Sequence, residues 1–251
     1  DQYGNVYAYG SYNDYQLVKI NSSGAFQWIY TAVGFGYYTL GSSIYGDFAL
    51  DELTSTSYLV EGWDGTGPGA RIFKINALGI QTAIFSGNSN MNEMWRAEYS
   101  RCHEKIVIAG GGTTTPSYNA ALVDTNLTNM SIVQVVPPSE HTDMCLLSID
   151  PSSNYCYMAS VFFNSPTYDK KIFKCPLPSI APYTYAVNHG HLFCEINSVN
   201  YIPLSSGFSS ANGLNGMAVN SSWLYTYDSD SLKRWDKNTG ALVAAIDVSP
   251  T

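Results

Sequence analysis

Short apolar runs alternate with polar turns along the chain, and one combination returns in a fixed register. It reads Leu17-Val18-Lys19-Ile20-Asn21-Ser22-Ser23-Gly24, then Ile72-Phe73-Lys74-Ile75-Asn76-Ala77-Leu78-Gly79, then Leu122-Val123-Asp124-Thr125-Asn126-Leu127-Thr128-Asn129. Weaker copies stand at Ile172-Phe173-Lys174-Cys175 and at Leu232-Lys233-Arg234-Trp235-Asp236. With Lys19, Lys74, Asp124, Lys174 and Arg234 as markers, the period is about 50 to 60 residues, in the range of propeller blades.

Each copy is an apolar strand, a turn whose Asn and Gly tolerate positive φ, and a second apolar strand such as Phe26-Gln27-Trp28-Ile29-Tyr30. That is a β-hairpin. Upstream of each copy stands a nearly continuous apolar run, for example Tyr58-Leu59-Val60 or Ile106-Val107-Ile108-Ala109, as expected of strands covered on both faces. One more candidate strand precedes four of the five runs, over residues 44–50, 94–99, 144–149 and 214–219. The pattern predicts an all-β fold, a single β-propeller of about five four-stranded blades at residues 1–32, 43–88, 93–137, 143–210 and 213–251. A sandwich would alternate more strictly, and a β-helix would repeat at a far shorter period. The first blade starts at what is the second strand elsewhere, so it lacks its inner strand and residues 6–9 should present an unpaired edge. Residues 176–210 should hold an insertion, with residues 191–196 and 199–204 as an added hairpin.

The segment Asp1-Gln2-Tyr3-Gly4-Asn5-Val6-Tyr7-Ala8-Tyr9-Gly10, followed by Leu17-Val18-Lys19-Ile20 and by Gly24-Ala25-Phe26-Gln27-Trp28, resembles the repeat of secreted bacterial β-propeller proteins. The last repeat, with Trp235-Asp236-Lys237-Asn238-Thr239-Gly240, is similar to quinoprotein-type or NHL-type blades. The resemblance implies a blade and no activity, because propellers host unrelated functions.

Composition narrows the function. A net charge of −8 with scattered basic residues argues against nucleic acid, whose phosphates demand clustered Lys and Arg. No apolar run approaches the roughly 18 residues that span a bilayer as a helix. A chain opening at Asp1 is expected to be a processed mature chain or a piece of a longer one. Low charge combined with abundant Tyr, Asn, Ser, Thr and Gly points to an extracellular or cell-surface home. Sequons at Asn21, Asn126, Asn129 and Asn220 are candidate glycosylation sites, in a number that chance alone nearly supplies. Five Cys without a CxxC pair suggest long-range bonding, and the fold-back of the fourth repeat sets Cys156 opposite Cys175 as the expected disulfide.

Chemistry-bearing clusters are few. His189 and His191 alternate on one strand face near Cys194 and form a weak candidate metal site, with no further ligand at a recognisable spacing. Asp47, Glu93 and Asp143 fall near inner strands, where propeller glycosidases gather acid and base groups, and Glu93 and Asp143 align as equivalents. They are the candidate catalytic residues of the alternative reading, a carbohydrate-active hydrolase or lyase. Trp63 stands beside a Gly-rich loop and is a candidate ligand-binding residue. Nothing matches a phosphate or dinucleotide loop, and no cofactor is expected. The favoured reading is a non-catalytic binding, adhesion or self-assembling module, with other copies of itself or a glycan as partner.

Overall fold

The computed structural model describes residues 1–10, 15–32, 46–60, 71–86, 91, 93–111, 119–133, 142–150, 155–162, 170–177, 201–203, 214–228, 231–237 and 239–248. Among them are nineteen strands and no helix. The first sheet holds β1 (Val6–Gly10), β2 (Tyr15–Ile20) and β3 (Phe26–Ala32). The second holds β4 (Asp47–Asp51), β5 (Thr56–Val60), β6 (Arg71–Ile75) and β7 (Gln81–Ser86), and the third β8 (Glu93–Ser100), β9 (Lys105–Gly111), β10 (Ala120–Asp124) and β11 (Met130–Val133). The fourth holds β12 (Thr142–Ile149), β13 (Tyr155–Phe162), β14 (Lys170–Pro176) and β15 (Tyr201–Pro203), and the fifth β16 (Leu214–Val219), β17 (Trp223–Asp228), β18 (Ser231–Asp236) and β19 (Leu242–Asp247). Every sheet is an antiparallel meander in chain order. The first has three strands, as its repeat implies, and β1 is its edge.

The sheets stack face to face. β4 lies against β8, β8 against β12, and β12 against β16, so the first strands of successive sheets line one side of the stack. This explains the continuous apolar runs. β9 and β10 of the third sheet are buried on both faces, with Ile106, Ile108, Ala121 and Val123 packed towards the second sheet and Val107, Ala109, Ala120 and Leu122 towards the fourth. Each such Ile or Val contributes about 1.5–3 kcal/mol of burial. Outer strands behave differently: β7 alternates between exposed and half-buried positions.

The turns joining third and fourth strands follow from their Asn. Asn21 Oδ1 accepts the N–H groups of Ser23 and Ala25, and Asn76 Oδ1 accepts those of Leu78 and Ile80, so both side chains close the same turn. Gly24 and Gly79 complete the two turns at φ of +82° and +80°, where a Cβ is strained. Gly79 is also sterically fixed, because a Cβ there would stand 2.7 Å from the Trp28 ring of the first sheet.

Two expectations need correction. Of the expected added hairpin, residues 201–203 form β15, which pairs with β14, Phe173 opposite Tyr201 and Ile172 opposite Ile202, as the fourth strand of that sheet rather than as part of an excursion, while residues 191–196 lie outside the described residues. Pro203 has no N–H to give a ladder and is tolerated at this edge. Cys156 does stand opposite Cys175 in the β13–β14 register, but Cys156 is a free thiol and Cys175 is disulfide-bonded elsewhere. With Cys102 also free, the partner of Cys175 lies outside the described side chains.

Candidate functional site

Two carboxylates dominate the inner strands. Asp47 pairs with Val60, two residues beyond Tyr58, and Glu98 pairs with Val107, two residues beyond Lys105, so they occupy equivalent places on neighbouring blades. Each reaches into the next blade. Asp47 Oδ2 accepts the N–H of Ala97 at 3.2 Å, and Glu98 Oε2 accepts the N–H of Ile149 at 2.6 Å. A carboxylate accepting a backbone N–H across the inner edge links two sheets that share no strand ladder.

Their titration reflects this setting. Burial pushes Glu98 up to about 7; the charge of Asp47 raises it further, while the Ile149 N–H and the Ser148 hydroxyl oppose the rise. Burial also raises Asp47, against the N–H groups of Phe48 and Ala97 and the charge of Arg96. A carboxyl held protonated by burial near a second carboxylate suits acid–base chemistry. Both already serve as acceptors between blades.

The third candidate differs. Glu93 is buried and accepts the Trp95 indole N–H at 3.1 Å. It pairs with Gly111, four residues past the Glu98 partner Val107, whereas Asp143 pairs with Val161, two past Ala159, the partner of Leu146. The Asp47 and Glu98 position is filled by Leu146 in the fourth blade, so Glu93 and Asp143 are not equivalent. Side-chain contacts of Asp143 lie outside the described residues, as do Trp63, His189, His191 and Cys194. Among the described residues no group of three His, Cys, Asp or Glu is placed to hold a metal.

A second pattern concerns the face that each blade turns to the next. In the first blade Lys19 stacks on Tyr7, donates to the Ala77 carbonyl at 3.3 Å and pairs with Asp1 at 3.9 Å; the Trp28 indole donates to the same carbonyl at 3.0 Å. Asp1 closes the join by accepting from Tyr7 at 2.9 Å and from Ser55 of the second blade at 2.7 Å. In the second blade Lys74 stacks on Tyr58, which is hydrogen-bonded to Thr125 in the β10–β11 turn. In the fourth, Lys174 stacks on Tyr155 and Tyr157 within electrostatic reach of Asp236. Three times, an aromatic–cation pair on one blade meets the third-to-fourth-strand turn of the next. The fifth blade carries the same pair, Arg234 over Trp223 at 4.8 Å, on its outward face.

All four sequon asparagines occupy turns. Asn21, Asn126 and Asn220 accept the N–H two residues on through Oδ1, and Asn129 donates to Asp124. Asn126, Asn129 and Asn220 are exposed. Turn chemistry accounts for the Asn, and Asn76 plays the same part without a sequon.

No protein-family model matches the sequence, and no curated protein matches it. Among solved structures the chain is similar to the WD40 domain of Neurospora crassa Pan2, with a TM-score of 0.55 and 9% identity, over 99% of this chain and 64% of that one. The chain thus spans less than two thirds of that structure's length. No helix of the described residues is long and apolar enough to cross a membrane. Five antiparallel meanders stacked through their first strands, together with this likeness, make the chain a β-propeller whose first blade has three described strands.

Proposed function

We propose that this β-propeller is a non-catalytic interaction module acting outside the cell or at its surface, with other copies of itself or a glycan as partner. The observation that carries the reading is the apolar surface left open on the end blades. Val6, Phe26 and Ile29 on the first blade are 58%, 62% and 47% exposed, and Leu232 and Ile246 on the fifth are 38% and 58% exposed. Contiguous apolar surface facing water is a mark of an interaction site. The use of Asp47 and Glu98 as links between blades supports a structural role for the inner carboxylates. The extracellular setting is supported by the bonded Cys175, the low charge, the exposed sequons and the resemblance of the first repeat to secreted bacterial propellers.

One observation favours a hydrolase as the second reading: Glu98 keeps its proton to about pH 7 beside Asp47. A panel of neutral and acidic polysaccharides, assayed for new reducing ends, separates the two. The module reading expects no release above a heat-denatured control. Release that is lost in both Glu98→Gln and Asp47→Asn would replace it with an enzyme.

A further inference from the structure

The two ends of the stack are complementary halves of the contact that the blades make with one another. On the first blade, the face turned away from the second carries Val6, Ala8, Val18, Ile20, Phe26 and Ile29 on one side by register, an apolar patch that ends at Gly10, Gln16 and Thr31. Its Asn21–Gly24 turn reproduces the Asn76–Gly79 turn bond for bond, with Ser22 at the place of Ala77. The Asn76–Gly79 turn is covered: Ala77 accepts from Lys19 and Trp28, and Gly79 lies against the Trp28 ring. In its counterpart the Gly24 position is open, since a Cβ there would meet nothing within 4 Å, while the Ser22 side chain lies near Gly4 of the same blade.

The fifth blade offers what that turn lacks. Lys233 and Trp235 are buried towards the fourth blade, which leaves Tyr225, Tyr227, Leu232, Arg234 and Ile246 on the outward face. Arg234 holds the marker position of Lys19, Lys74 and Lys174. Its Nε is buried with no hydrogen-bond partner among the described residues, although the same position in the first blade donates to a turn carbonyl. The exposed apolar side chains at both ends are not covered by one another among the described residues.

Building on the interaction-module reading, we propose that the outward face of the fifth blade docks on the outward face of the first blade of a second copy, so that protomers add head to tail as blades add within a protomer. Arg234 then donates to the Ser22 carbonyl as Lys19 donates to that of Ala77, and the apolar faces close over each other. Both halves of the contact exist in every molecule, so a second copy suffices as the occupant. The contact is heterologous, and repetition gives an open chain of protomers. A three-stranded face six residues long covers about 14 by 20 Å. That area belongs to the smallest class of interfaces, so association should be weak and visible only at high protein concentration.

Sedimentation of the chain across about 1 to 500 μM tests the proposal. The wild type should grow from monomer to a series of oligomers. Phe26→Asp and Ile246→Asp lie at exposed positions, so each variant should keep its fold by circular dichroism and stay monomeric alone. Mixed one to one, the two should form a capped dimer, because each supplies the face the other has lost; adding Arg234→Ala to the Phe26→Asp partner should weaken that dimer at least tenfold. A wild type that remains monomeric at every concentration, as it would if further blades of a longer chain were the occupant, overturns the proposal. So does an oligomer that survives Ile246→Asp, which would mean a symmetric contact through the first blade alone. Either result leaves the module reading standing; that reading falls to polysaccharide turnover instead.

Discussion

Replacing Glu98 by Gln should remove most of the pH dependence of stability between pH 4.5 and 8. In the folded chain Glu98 holds its proton to about pH 7, chiefly through burial and secondarily through the nearby charge of Asp47, whereas its ordinary value is 4.5. The folded state therefore binds the proton more tightly than the unfolded one. Stability from this group is fully present below about pH 4.5 and is lost as pH rises through about 7. A gap of that size is worth at most about 3 kcal/mol. Asp47, also raised by burial, acts in the same direction. Asp124, lowered by its bonds to Lys105 and Asn129, titrates below this window and does not offset them there. Gln keeps an acceptor for the Ile149 N–H and carries no charge. Glu98→Gln should thus match the wild type at pH 5 within about 1 kcal/mol and exceed it at pH 8 by up to about 3 kcal/mol, or roughly 6–12 °C in Tm. Urea unfolding of both proteins at half-unit pH intervals measures this. Parallel pH profiles for wild type and variant would refute the placement of Glu98 as a buried link between blades.

Other expectations follow from the joins. Gly79→Ala should cost about 2–4 kcal/mol in urea unfolding, because strain at φ +80° adds to a clash with Trp28, whereas Gly24→Ala should cost only about 1 kcal/mol for the same strain in open space; equal costs would contradict the covered first join. Lys237→Ala should destabilise by about 2–4 kcal/mol because it strips the cation from Asp150, which is 4% exposed and sits on the fourth blade; a change within about 0.5 kcal/mol would show that the pair does not tie the fourth and fifth blades. Five cysteines less one disulfide leave three thiols, so denatured unreduced protein should titrate three, while native protein should show Cys102 reacting and Cys156 silent, its thiol buried and pushed up. Five reactive thiols would exclude the bond to Cys175.

The blades were legible because their physics is local. The Asn–Gly turns and the apolar runs on either side reported the period, the hairpins and the three described strands of the first blade. Glu98 was not, although counting back from Lys74 and Asp124 brings Asp47 and Glu98 within one residue of each other. The reason is a bulge in β8 between Met94 and Arg96, which adds a residue near the strand start and lets an alignment from that end select Glu93. A similar bulge between Met144 and Leu146 misplaces Asp143. Cys156 and Cys175 were set opposite each other by alternation, a local property, but bonding depends on a third cysteine brought in by the fold. The apolar runs of the first and fifth blades read as covered strands, and only the three-dimensional arrangement shows Val6, Phe26, Ile29 and Ile246 exposed among the described residues.

If the protein acts through its two end faces, both must be open in a single protomer. Hydroxyl-radical footprinting read by mass spectrometry tests it most directly, first at a concentration where the protein sediments as a monomer and then at the highest attainable. Phe26, Ile29, Leu232 and Ile246 should label rapidly in the dilute protomer, while Leu17, Leu59 and Phe73, buried between the first and second blades, stay protected. At high concentration the first group should become protected together. Protection of Phe26 and Ile246 already in the dilute monomer would contradict the claim, because the two end blades would then be covering each other within one closed ring.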